Sequence, residues 1–281
     1  MTHGEVAALA ALTRGDHDAA LAALDSVERP LLNTALRTHL AAGTDGQVYD
    51  QPAAFTAFIR GGGNIGLYEA VSTALAGLYD RLGVTSLVDI GCGDGRALVP
   101  ALRAATTTPA VTLVEPSRAL LDAALADLPT GTIAHATDAS TFAHALTSRF
   151  DLAESTFALH ALPHEERSSV LAALRGHVSH LAIAEFDHQI YDDHDADRLT
   201  FLADTYEQGL AEYDTDRDLV AQGFLMPVLT GQLTPGARRS TWEQPAAAWA
   251  EQVEACGFRN VVVAPLYDYW SSPAFLLTAE A

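Results

Sequence analysis

The chain has 281 residues, 36 acidic against 16 basic side chains, and a net charge of −20. Proteins that bind a phosphate backbone neutralise it with Lys and Arg, so this balance disfavours a nucleic-acid partner, with Arg238-Arg239 the local exception to weigh. Hydrophobic residues at 49% and charged residues at 19% suit a packed core rather than disorder, and the acidity otherwise reads as solubility. The two cysteines, Cys92 and Cys256, form no C-x-x-C pair, so neither a disulfide framework nor a thiolate zinc site is expected. No basic leader opens the chain and no apolar run reaches membrane-spanning length. A soluble cytoplasmic protein that engages no membrane is expected.

Residues 4–42 read as helices, with Val6, Leu9, Leu12, Leu21 and Leu24 at helical spacing. Pro30 suits the first turn of another helix, which Gly43 stops. A further helical unit starts near Pro52, breaks at Gly61-Gly62-Gly63 and resumes from Asn64 to about Arg81. The three glycines imply positive φ or a close backbone approach to a ligand. With Tyr49, Phe58, Asn64 and Tyr68 they suggest a lid over a ligand, a plain hinge being the alternative.

From Val84 the pattern changes to strands alternating with helices. Strands are expected at Ser86–Ile90, Val111–Glu115, Thr132–Ala136, Phe150–Glu154 and Leu181–Phe186. A long segment with scattered aromatics, 187–241, follows the fifth strand and is too long for a simple connection. After it come an Ala-rich helix from Pro245 to Cys256, a capping Gly257, and closing strands at Arg259–Val263 and Ala274–Thr278. This predicts an α/β fold with a doubly wound, mostly parallel seven-stranded sheet. A helical region over 1–82 would precede a domain over 83–281 that carries a helical insertion at 187–241.

The chemistry-bearing signal is Val88-Asp89-Ile90-Gly91-Cys92-Gly93-Asp94-Gly95. A strand ends in glycines that let the backbone turn sharply and approach a ligand at the N-terminus of the next helix. A dinucleotide fold would call for G-x-G-x-x-G, but Arg96 stands where its last glycine would be. Glu115 ends the second strand about 20 residues further on, where a carboxylate reaches ribose hydroxyls. Asp138-Ala139 follows the third strand, placed to accept from an exocyclic amine or to cap the next helix.

Loop, strand-end Glu115 and Asp138 together resemble the class I S-adenosylmethionine (SAM)-dependent methyltransferases over residues 84–281. The resemblance implies a Rossmann-like domain with SAM as cofactor and a small molecule as acceptor. By position, Asp89, Gly91 and Gly93 would hold the methionine part and Glu115 the ribose. Asp138 and Ala139 would flank the adenine, Glu154 and Ser155 would lie beside the sulfonium, and Tyr49 would close over the cofactor. Acceptor-side groups are sought after strands four and five. The catalytic candidates are His160, Asp187, His188 and Tyr68, although His160 and Asp187-His188 read equally well as loop residues. Phe58, Asn64, Tyr191, Tyr206 and Trp270 are candidate substrate contacts.

Gly62-Gly63-Asn64-x-x-Leu67-Tyr68 and Glu185-Phe186-Asp187-His188 are also similar to segments of actinobacterial natural-product C-methyltransferases. That group methylates the β-carbon of 2-oxo acids or C3 of indoles. Its 2-oxo acid members hold a metal with two histidines, the second far downstream, and this chain has no histidine after His194. Metal-free C3 methylation of a tryptophan-derived cyclodipeptide is therefore the favoured expectation. C-methylation of a 2-oxo acid β-carbon, O- or N-methylation of another small metabolite, and a SAM-binding regulatory protein are the alternatives. The helical segment 1–45 carries no evident chemistry and is expected to pack a homodimer.

Overall fold

The computed structural model describes residues 4–43, 51–191, 195–236 and 240–281, so Tyr49 lies outside the described residues. The chain divides into two compact units, Met1–Ile65 with Ile190–Arg239, and Gly66–Gln189 with Ser240–Ala281. No helix among the described residues is long and apolar enough to cross a membrane.

The first unit is helical. It contains α1 (Gly4–Leu12), α2 (His17–Ala23), α3 (Pro30–Ala42), α4 (Pro52–Arg60) and the first turn of α5 (Asn64–Leu82). Pro30 occupies the first turn of α3 and Gly43 ends it in the left-handed conformation, as the sequence predicts. Glu5 is buried in α1, where it accepts from Asn33 Nδ2 at 2.9 Å and from the Glu28 amide at 3.1 Å.

The second unit carries a seven-stranded sheet in the order β3-β2-β1-β4-β5-β7-β6. Its strands are β1 (Ser86–Ile90), β2 (Ala110–Val114), β3 (Ile133–His135), β4 (Phe150–Thr156), β5 (Val178–Phe186), β6 (Arg259–Tyr267) and β7 (Ala274–Glu280). The first five run parallel, while β7 is antiparallel to both β5 and β6. Rossmann-like winding is thus confirmed. β5 starts three positions before the expected Leu181 because Val178 pairs with Phe150. Central strands are covered on both faces, which is why β1 reads as a nearly continuous apolar run interrupted by one acid.

One face of the sheet packs on α5, α6 (Leu98–Ala104) and α7 (Arg118–Ala126), through a cluster including Leu75, Tyr79, Leu87, Leu98, Leu113, Leu121 and Leu152. The other packs on α8 (Ala139–Ala145), α9 (His164–Arg175) and, after the insertion, α13 (Ala246–Ala255). Val71, Leu75, Leu78 and Tyr79 place most of α5 in the sheet's core. The unit boundary therefore falls at Ile65/Gly66, inside a helix, instead of after residue 82.

The insertion forms α10 (Ala196–Ala211), α11 (Arg217–Val220), a π turn at Ala221–Leu225 and α12 (Met226–Leu233). It joins the N-terminal helices in one unit. Here the glycine triplet finds its reason. Gly62 has φ +51°, and a Cβ there would lie 2.8 Å from Tyr213 Cζ; the Gly63 amide donates to Glu212 Oε2 at 2.6 Å. The close approach that the glycines permit is to α10 and the residues just beyond it.

Gly62→Ala is expected to lower unfolding stability by about 1–3 kcal/mol, since it strains a positive φ and presses on the Tyr213 ring. Urea denaturation followed by circular dichroism checks this.

Candidate functional site

The glycine loop leaves β1 at the point where the strand order reverses between β1 and β4, the crevice in which open α/β sheets bind ligands. Amides of Gly91 and Cys92 both donate to Val114 O, at 2.8 and 3.2 Å, which lashes the loop to the end of β2. Gly91 has φ +76°, and a Cβ there would collide with that of Ala158. Gly93 has φ +54° and open space where a Cβ would stand. Gly95 lets the loop settle on Val99 and Ala124, with Val99 Cγ2 at 3.0 Å from a would-be Cβ. It thus takes the packing role that a dinucleotide loop gives to a glycine one position later.

Three carboxylates converge here from adjacent strands. Asp89 on β1 is 3% exposed, and its Oδ1 has no hydrogen-bond partner. Burial, then the charge of Glu115, pushes its carboxyl up to about 7. Glu115, directly after β2, accepts from the Gly93 amide at 3.2 Å and the Ser117 amide at 2.9 Å. Glu154 on β4 is the register partner of Asp89, and both of its oxygens contact the Tyr79 hydroxyl, at 2.8 and 2.7 Å. Ser155, on the opposite face, donates to Ile90 O at 2.8 Å and ties β4 to the end of β1. Burial, together with Asp89 and Glu115, pushes the Cys92 thiol up, so it is a packed thiol and no nucleophile.

An orphaned buried carboxylate oxygen and a glycine with open space above it fit a cofactor that carries a cationic amino acid part. Glu115 keeps lone pairs for a ribose. Asp138 caps α8, accepting from the Thr141 amide at 2.7 Å and the Thr141 hydroxyl at 2.8 Å. Those bonds hold its carboxyl below the ordinary range, and Ala139 opens the helix beside it.

A second polar cluster stands at the carboxyl ends of β4 and β5. After β4 the chain turns through Phe157, a non-glycine residue at φ +50°, held by its amide donating to Ala184 O at 2.9 Å. Its ring stacks on Phe186 at 4.6 Å, and Tyr68 meets it edge-on at 5.9 Å. Phe186 also faces Tyr269, which contacts Trp270, so these rings form a continuous aromatic lining. Strain at an aromatic residue inside such a lining is typical of a ligand site.

The 3₁₀ turn Leu159–Ala161 then presents His160 to Glu185, the last buried residue of β5. Its Nδ1 lies 2.9 Å from Glu185 Oε2, and its amide donates to Glu185 Oε1 at 3.1 Å. Burial works to lower the imidazole's pKa, but the charge and hydrogen bond of Glu185, helped by Glu243, outweigh it and the net shift is upward. For His188 burial outweighs the nearby carboxylates and the pKa falls; its Nδ1 is 3.2 Å from Ser272 Oγ. Glu243 stays ionised despite burial, through the Thr241 hydroxyl and the two imidazoles. Burial raises the Tyr68 phenol to about 12, which makes it a poor base.

Arg167 holds this turn from behind. It is fully buried, its guanidinium lies 3.9 Å over the Trp249 ring, and it donates to Leu159 O at 2.9 Å, Leu162 O at 3.2 Å and Trp242 O at 2.6 Å. The Trp242 amide in turn donates to His160 O at 2.7 Å. Both strands of chain that flank His160 therefore hang on one cation.

The structure gives other candidates different work. Asp187 is exposed, and its Oδ1 accepts from the Ala246 amide at 2.8 Å, capping α13. Phe58 packs on Phe224 at 4.3 Å, and its carbonyl accepts from Asn64 Nδ2 at 3.0 Å and Tyr213 OH at 3.0 Å. Tyr206 is buried and accepts from Gln232 at 3.3 Å, while Tyr191 packs on Phe201 at 5.5 Å. Phe58, Asn64, Tyr191 and Tyr206 belong to the helical unit. Glu185, Glu243, Arg167 and Tyr79 were not singled out by sequence; a buried acid at a strand end was the one available signal, at Glu185.

Residues 87–180 match the family model described as a methyltransferase domain. No curated protein matches the chain. Among solved structures, the chain is similar to magnesium protoporphyrin IX methyltransferase (ChlM) from Synechocystis PCC 6803 with bound SAH, at 18% identity and TM-score 0.53, covering 84% of this chain and 90% of that one. It is similar to mitomycin 7-O-methyltransferase MmcR, at 18% identity and TM-score 0.52 over 95% and 72% of the two chains. An O-methyltransferase family protein from Burkholderia thailandensis matches at 14% identity and TM-score 0.54 over 83% and 60%.

Two substitutions test the geometry. Gly91→Ala is expected to weaken SAH binding at least about tenfold, because the new Cβ drives the loop off Ala158; calorimetric titration measures it. Arg167→Met strands three carbonyl oxygens and is expected to cost about 3 kcal/mol or more in urea denaturation.

Proposed function

We propose that the chain, which carries a methyltransferase domain over residues 87–180, is a class I SAM-dependent methyltransferase that methylates a hydroxyl group on a planar aromatic small molecule, with His160 as general base. The observation that carries this reading is the pairing of His160 Nδ1 with Glu185 at 2.9 Å. A carboxylate on Nδ1 favours the tautomer with the proton there and leaves the Nε2 lone pair for an acceptor. A heteroatom acceptor needs its proton removed as it attacks, whereas a base so oriented has no use in a merely structural turn.

SAM, when bound, supplies an electrophilic methyl carbon. In this reading Asp89, Gly91 and Gly93 hold its methionine part, Glu115 its ribose, and Asp138 with Ala139 its adenine. Phe157, Phe186, Tyr68 and Trp270 form an apolar wall for a flat acceptor and keep water from it. Glu185 holds the imidazole in place and stabilises its charged form once the proton has been taken.

A second reading, C-methylation at indole C3 of a tryptophan-derived compound, is favoured by the same aromatic lining. There His160 would take the indole N–H proton after carbon attack. SAM labelled in its methyl group, offered with phenols, tryptophan cyclodipeptides and aryl pyruvates, separates these by the labelled atom in the product. Label on oxygen supports the first reading, and label on indole C3 the second. No transfer to any planar aromatic acceptor rejects both.

His160→Gln is expected to lower kcat by about 10²- to 10⁴-fold while the KM for SAM holds. The base must be unprotonated, so activity rises with pH through a value above the ordinary histidine 6.5. Glu185→Gln removes the charge that raises that value, and the acid limb of the kcat–pH profile moves to lower pH.

A further inference from the structure

We propose that Glu154 and Tyr79 store a proton beside the cationic end of the cofactor, and that cofactor binding expels that proton to solvent. The proposal rests on the SAM reading of the loop.

Side chains of Asp89, Glu115 and Glu154 share one face of the sheet, since strand residues two apart point the same way as Leu87, Leu113 and Leu152 in the α5 core. Asp89 lies between the other two in strand order. Glu154 is 1% exposed and Tyr79 0%, so water does not solvate the pair. Tyr79 brings one hydroxyl proton, yet its oxygen lies 2.8 and 2.7 Å from the two Glu154 oxygens. Both short contacts become hydrogen bonds when Glu154 is a carboxylic acid: one oxygen accepts from Tyr79 and the other donates to it. When Glu154 is ionised, the one Tyr79 proton is divided between its two oxygens as a weaker three-centre bond.

The surroundings favour the acid. The charged group that faces the pair is Asp89 on β1, which itself has Glu115 and Cys92 beside it, and none of these is a cation. Burial, then the charge of Asp89, pushes Glu154 well above the usual carboxylate range, against the hydrogen bond from Tyr79. Asp89, by contrast, has a buried oxygen with no partner, open to a ligand ammonium. A cation brought to Asp89 offsets the repulsion that keeps Glu154 neutral, so that above about pH 7, where Asp89 is ionised before the ligand arrives, Glu154 ionises beside it. The only bond broken is the Glu154 O–H, and its proton goes to buffer.

SAH carries the same ammonium and is stable, which makes it the probe. Titration calorimetry of the wild type at about pH 8, where Asp89 is ionised before binding, in buffers of different ionisation enthalpy is expected to show about one proton released per SAH bound. The SAH Kd should then fall with rising pH above the pKa of Asp89, by up to about tenfold per unit. Glu154→Gln keeps the shape and has no acid to lose, so its buffer dependence and pH slope should vanish. SAH binding without proton release in the wild type, or with the full release in Glu154→Gln, overturns the proposal alone. No SAH binding to the wild type overturns the cofactor reading and the proposal with it. Infrared difference spectra of the wild type give an independent measure: the carbonyl band of a buried protonated carboxyl should bleach on adding SAH, and its persistence overturns the proposal.

Discussion

Burying an acid without a partner is among the most expensive things a fold does, and β1 does it at Asp89. The sheet surrounds that residue. β2 and β4 flank it in parallel register, the glycine loop springs from the next residue but one, and α5 covers it. A core of Leu87, Leu113 and Leu152 fixes the strand on either side, so the carboxylate is unable to swing out to water. Its cost is what makes the site ready, because a cationic ligand gains there what the empty protein lacks.

The reactive end obeys the opposite rule. Around His160 every strong polar group is answered: Glu185 by the imidazole and its amide, Arg167 by three carbonyls, Trp249 by the guanidinium. Such saturation holds one geometry. The cofactor end keeps an unmet demand for charge, and the acceptor end keeps an oriented base. In the proposed reaction a binding step and a proton-transfer step fall on different faces of one sheet edge, since Glu154 shares the face of Leu152 while Glu185 shares that of Leu181 and Ile183.

What sequence reveals here depends on how local the cause is. The glycine loop, the acid in β1, Glu115 and the strand–helix alternation arise within windows of a few residues, and all were legible. Pairing between His160 and Glu185 depends on β4 and β5 lying side by side in a given register, which no single window encodes. Asp187 read equally as a catalytic group or a loop residue because it follows the fifth strand; in the fold it caps a helix that starts 59 residues later. The glycines at 61–63 read as a positive φ or a close approach to a ligand; the fold brings Gly62, at φ +51°, against Tyr213 and Gly63 against Glu212, partners that sequence has no means of naming. In each case the residue type was informative and its partner was not.

Glu154 shows why that distinction matters for function. On β4 its neighbours Leu152 and Ala153 are ordinary apolar core, and a hydrophobic residue in its place would bury without cost. Tyr79 could likewise be Phe if packing were its whole role. An acid and a phenol facing each other, both sealed from water and next to a second acid, add nothing to stability that apolar side chains would not exceed. Such a pair answers to something the empty protein does not contain, and the unmet charge at Asp89 identifies that as a cation arriving at the glycine loop.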